Sequence, residues 1–183
     1  AAGTTIRTRR CSRTEGEALV DVLLPSGWDA PIGYSNGVAV RPGRIVFVAG
    51  QVGWDAQQKF RSDEIVPQFE QALKNVLAVL AEAGGRPEHI CRITGFCCDK
   101  PGYLAGRRAL GTVWRRLMGG HYPAMSMIFV SDLLDSPGKI ELEATAVVPS
   151  PGSGGAGPLK SARRRAKQPP PGRSRRKRGI PAT

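Results

Sequence analysis

Histidine is nearly missing from this chain: only His89 and His121 occur in 183 residues. The four cysteines, Cys11, Cys91, Cys97 and Cys98, have no zinc-type spacing. A structural metal centre needs its ligands in recognisable pairs, so no metal site is read here. Adjacent Cys97 and Cys98 fall in a strand-like segment and point to opposite faces, as small hydrophobes in a reducing cytosol would. Long apolar runs are missing too. None approaches the ~18 residues of a membrane span, and no signal-peptide core appears, so a cytoplasmic protein with no membrane partner is expected.

Acid is missing from one stretch only. Pro151–Thr183 carries ten basic residues and no Asp or Glu, whereas residues 18–150 carry thirteen of each sign. The formal charge of +12 is therefore a property of the ends, and the neutral body offers no argument for nucleic acid. The terminal stretch runs through Gly152-Ser153-Gly154-Gly155, Arg163-Arg164-Arg165, Pro169-Pro170-Pro171 and Arg175-Arg176-Lys177-Arg178. It has too little apolar surface to offset an ordering cost of roughly 1–2 kcal/mol per residue, so disorder is expected. Composition does not separate a solvated extension from an arm that binds polyanions.

The length suits one domain with a proper core. The expected organisation is a flexible leader over 1–30, a folded domain over 31–149 and the basic tail over 150–183. Within the domain, Val38–Val40 and Ile45–Ala49 flank Arg41-Pro42-Gly43-Arg44 and read as a hairpin. Ile65, Phe69, Leu73, Val76, Leu77 and Leu80 form one helical stripe, which Gly84-Gly85 ends. A strand follows over His89 to Cys98. Asp99 is placed to cap a second helix, with Pro101 in its first turn and Tyr103, Arg107, Leu110, Trp114 and Leu117 along one stripe. Two closing strands cover Tyr122–Val130 and Lys139–Val147. The order is β-β-α-β-α-β-β, an α+β single domain with a mixed sheet and two helices on one face. Two helices cannot cover both faces, so the other is expected to pack against further copies of the chain.

The last strand carries carboxylates at alternate positions, Glu141 and Glu143. Period 2 puts both on the same face, where they either meet water or line a site.

Five segments together resemble the RidA/YjgF/YER-type proteins, the reactive intermediate deaminases. They are Ile32-Gly33-Tyr34-Ser35-Asn36-Gly37-Val38, Val46-Phe47-Val48-Ala49-Gly50-Gln51, Gln71-Ala72-Leu73-Lys74-Asn75-Val76 with Ala83-Gly84, Tyr122-Pro123-Ala124, and Ile140-Glu141-Leu142-Glu143-Ala144. The resemblance runs from about Pro31 to Pro149. It implies a fold similar to bacterial chorismate mutase, a homotrimer with clefts between subunits, and hydrolysis of imines and enamines without metal or organic cofactor. It also implies roles. Glu141 positions water, Tyr34 closes the cleft, and Ala49, Gly50, Met125 and Met127 line the substrate site, with Ala49 where many members have serine.

Met125 is the main departure. The family places an arginine there to clamp the substrate carboxylate, and Met127 replaces a cysteine. A thioether cannot make the bidentate, charge-assisted contact of a guanidinium. Arg92 and Arg107 are the alternative cations, though sequence places neither in the cleft. Three functions stay open: hydrolysis of an imine or enamine other than the usual short 2-imino acids, noncatalytic trimeric binding of a metabolite, and RNA association through the basic tail.

Overall fold

The computed structural model describes residues 20–150, so Cys11, most of the expected leader and nearly all of the basic tail lie outside the described residues. Nine elements are present: β1 (Val20–Leu23), β2 (Gly37–Val40), β3 (Arg44–Val52), α1 (Ile65–Glu82), a 3-10 turn (Pro87–His89), β4 (Ile90–Cys97), α2 (Lys100–Met118), β5 (Ala124–Phe129) and β6 (Ile140–Val148). The main sheet has the order β3-β6-β4-β5. β6 runs antiparallel to both its neighbours, and β4 pairs with β5 in parallel. The sheet is therefore mixed, as the two crossovers require.

Two expectations need correction. Gly37–Val40 does not form a hairpin with the strand after it; it pairs antiparallel with Val20–Leu23, a strand inside the expected leader. Arg44–Val52 pairs instead with β6. A Pro-Gly type II turn splays flanking strands against their natural twist, whereas β6 offers β3 a partner along its whole length.

Alternation sorts β6 cleanly. Ile140, Leu142, Ala144, Ala146 and Val148 are all buried, while Glu141, Glu143, Thr145 and Val147 are half-buried or exposed. The buried set meets α1, which also packs on β3 and α2. Leu73, Val76, Leu80, Ile90, Ile93 and Leu142 are fully enclosed, each burial stabilising by about 1.5–3 kcal/mol. α1 lacks a side-chain N-cap and ends before Gly84, whose φ of 72° suits glycine. Asp99 does cap α2, accepting from the Gly102 amide at 2.9 Å, and Gly119 at φ 62° ends it.

Among the described residues the other sheet face has no helix on it. There the register sets Glu141 beside Phe96 and Glu143 beside Thr94. Phe47 is 77% exposed and Ile45 59%. Isolated apolar residues on a surface are ordinary; these two are neighbours on one uncovered sheet face.

Candidate functional site

Two groups of residues carry the chemistry, and the sheet separates them. The first lines a cavity of about 570 Å³ between α2 and β5. Met125 is in register with Ile93 and Met127 with Gly95, so both methionines point to the helix side of β5. A Cβ placed on Gly95 would press on Met127 and Leu142, so glycine there makes room for the thioether. Tyr103, Arg107, Leu110 and Trp114 come from the inward stripe of α2 and form the opposite wall. Two aromatic pairs frame it: Tyr103 meets Phe129 edge-on at 5.7 Å, and Trp114 stacks on Tyr122 at 6.0 Å. The Trp114 ring N–H donates to His121 O at 3.1 Å, which fixes the indole.

Tyr34 reaches this cavity from the loop before β2. The segment is pinned by its neighbour. Ser35 donates its amide to Pro123 O at 3.0 Å and its hydroxyl to Tyr122 O at 2.6 Å, making a parallel bridge to Ala124.

The second group lies on the uncovered face, at the β3 end of the sheet. β3 bulges between Val48 and Gln51, leaving Ala49 and Gly50 opposite one residue of β6. The Glu141 carboxylate occupies the space this opens; a Cβ on Gly50 would overlap it. Burial raises the Glu141 pKa above 4.5, and Asp135 and Glu143 raise it further. The approach to β6 is held by buried Gln68, which donates to Pro137 O at 3.0 Å and accepts from the Lys139 amide at 2.7 Å. Asn75 donates to Val52 O at 3.0 Å and Trp54 O at 2.8 Å, anchoring the far end of β3.

The structure thus joins Tyr34, Met125 and Met127, and separately Ala49, Gly50 and Glu141. It does not bring the two groups together within one chain. Of the two alternative cations, Arg107 lines the cavity, while Arg92, in register with Thr145, lies on the uncovered face. Tyr103 and Trp114 were not read as cavity residues because an inward stripe reads as core, and Tyr122 entered only as part of the Tyr122-Pro123-Ala124 segment. The signal was Arg107, a cation within that apolar stripe. Cys97 is buried and Cys91 and Cys98 half-buried, all as free thiols. No helix among the described residues is long and apolar enough to cross a membrane.

A sheet of this order with two helices on one face, a half-buried carboxylate on β6 and an aromatic cavity under β5 define one class of protein. The model for the family Endoribonuclease L-PSP matches residues 28–148, and the chain belongs to this family, the Rid/YjgF proteins. It is 33% identical to Protein DfrA of Myxococcus xanthus over 115 residues, covering 62% of this chain and 84% of DfrA. Its fold is similar to that of YyfB, a Rid-family protein of Yersinia pestis, with a TM-score of 0.64 and 30% identity, covering 71% of this chain and 99% of YyfB. It is also similar to E. coli TdcF, solved with bound serine, with a TM-score of 0.50 and 28% identity over 65% of this chain and 91% of TdcF.

Proposed function

We propose that this protein hydrolyses reactive imines or enamines in a homotrimer, where the α2–β5 cavity of one subunit meets the Glu141 edge of the next. The observation that carries the reading is Glu141, half-buried over Gly50 with its charged form disfavoured. A carboxylate so placed is a stronger base than an exposed one and can hold a water through its charge. The two half-sites lie on opposite sheet faces, so a head-to-tail contact that closes into a ring completes each site from two chains. The apolar row at Ile45 and Phe47 supports burial of that face.

The reaction needs little else. Glu141 takes a proton from water as the water oxygen bonds to the carbon of the protonated imine and the C=N π pair moves to nitrogen. Glu141 then passes that proton to nitrogen; as the C–N bond breaks and ammonia leaves, the hydroxyl oxygen forms the carbonyl and its proton returns to Glu141, which releases it to solvent. The serine in TdcF supports small-molecule binding by this fold. The test is loss of imines made in situ by an amino-acid oxidase, followed as a fall in semicarbazone formation. Wild type is expected to accelerate that loss and Glu141→Gln to lower the acceleration about 100-fold or more. No acceleration with any imine would overturn the hydrolysis and leave the noncatalytic readings.

A further inference from the structure

We propose that the α2–β5 cavity takes an imine or enamine carboxylate bearing a large apolar, aromatic-sized side chain, and that Arg107 binds its carboxylate in place of an arginine on β5. This rests on the function proposed above and specifies its substrate class.

Shape argues first. In the single chain the cavity measures about 570 Å³, within the range for drug-sized ligands and well above what a three-carbon imino acid fills, which leaves room for a large side chain beside the Glu141 edge of a neighbour. Its walls are Tyr103, Phe129, Trp114, Tyr122, Met125 and Met127, which suit a flat apolar group. Methionine adapts to irregular shapes and packs well against rings. A short, polar ligand would leave that surface wet.

Charge argues second. The cavity lining contains Arg107, Arg108 and Arg115 and no acidic residue. Arg115 is turned towards Thr112, donating to its hydroxyl at 3.3 Å. Arg116, outside the lining, is taken by Glu70. Arg107 has no carboxylate partner among the described residues and stands in the same stripe as Tyr103, Leu110 and Trp114, four, three and seven residues away. Its charge acts on the Tyr103 hydroxyl, which burial otherwise pushes to a higher pKa. An unpaired guanidinium at the rim of an aromatic cavity matches a carboxylate at one end of an apolar body. Arg108 also borders the cavity, but one residue on it sits about 100° around the helix, off the stripe that carries Tyr103, Leu110 and Trp114.

The test separates binding from turnover. Phenylpyruvate, the 2-oxo acid such a substrate would yield, should bind the full-length protein and quench Trp114 fluorescence. Pyruvate should bind at least about tenfold more weakly for want of apolar contact. Arg107→Gln should weaken phenylpyruvate about 10- to 100-fold and leave phenylacetone, which lacks the carboxylate, unchanged. Arg107→Lys should recover part of the loss. Equal binding of pyruvate and phenylpyruvate, or unchanged binding in Arg107→Gln with its circular dichroism intact, overturns the inference. Binding as expected without loss of 2-imino-3-phenylpropanoate would sustain the assignment of Arg107 and overturn hydrolysis of this substrate class.

Discussion

Glu141 sits at a cost to the fold that its proposed role as a base would explain. Its folded pKa is raised above 4.5, so between that value and the raised one the folded state holds more protons than the unfolded state. Stability therefore falls as pH rises through this window, and the deficit is fully present once the folded carboxylate is ionised. Glu141→Gln should melt at or above the wild-type temperature at neutral pH, and the advantage should vanish below the unfolded pKa. Calorimetry at both pH values checks the sign. Activity should move the other way, being lost as pH falls through the raised value, because the base is then protonated. A second substitution asks what Met125 took away. Met125→Arg should raise turnover of 2-iminopropanoate by about tenfold or more, since it restores a guanidinium where wild type offers none at that strand. Robust wild-type turnover of this short substrate would show that Met125 is no handicap. The motifs drew attention to Glu141 and Gly50, and the structure sets that carboxylate over that glycine; Met125 stood out by its departure and lines the cavity. That Arg107 lines it too was not legible, because a stripe of Tyr103, Leu110 and Trp114 does not tell a core wall from a cavity wall.

The helices were the easiest elements to read and α2 shows why. Asp99, Pro101 and Gly119-Gly120 mark its ends by local chemistry that survives folding. The Asp99 pKa is lowered chiefly by the Gly102 amide and then by Lys139, whose ammonium lies 3.0 Å away. That contribution is present above the unfolded pKa of about 3.8 and is lost as pH falls through the lower folded value. Asp99→Ala should cost about 1 kcal/mol at neutral pH, and Asp99→Asn clearly less, by urea melts. Gly102→Ala should also destabilise, because its Cβ would run into the capping carboxylate. Strand pairing was harder. β1 is a four-residue strand interrupted by Asp21, with too few alternations to stand out, and its partner β2 ends at turn residues that suit a hairpin elsewhere.

At the scale of the whole molecule the decisive surface is the uncovered sheet face. Phe47 and Ile45 project from β3 while Val46 and Val48 turn to the core, so one strand serves two apolar environments. A strand buried on both sides loses the alternation by which a half-buried one is recognised, and Ile45–Val48 has none. That continuous run is what the proposed contact between copies would require. Light scattering on the chain trimmed to residues 20–150 should give about three times the monomer mass. Phe47→Asp should dissociate it without unfolding it, because the side chain meets nothing in its own subunit's core. A folded, non-aggregating monomer in wild type would remove the composite site along with the trimer.

The Ser35 anchor has a consequence in time as well as in space. β1 and β2 touch the body lightly, and Val22 and Val40 are exposed, so their amides should exchange with solvent quickly. Ser35 is different: it is 5% exposed and its amide is held by Pro123 O at 3.0 Å. In hydrogen–deuterium exchange it should behave as an outlying member of β5, slow among fast neighbours on both sides. Ser35→Ala keeps the amide bond but loses the hydroxyl's hold on Tyr122 O, so exchange at position 35 should quicken towards that of the ribbon. The residue before it, Tyr34, would then lose its fixed seat over the cavity. The clock that releases the tyrosine is thus the opening of a single bridge, and one amide reports it.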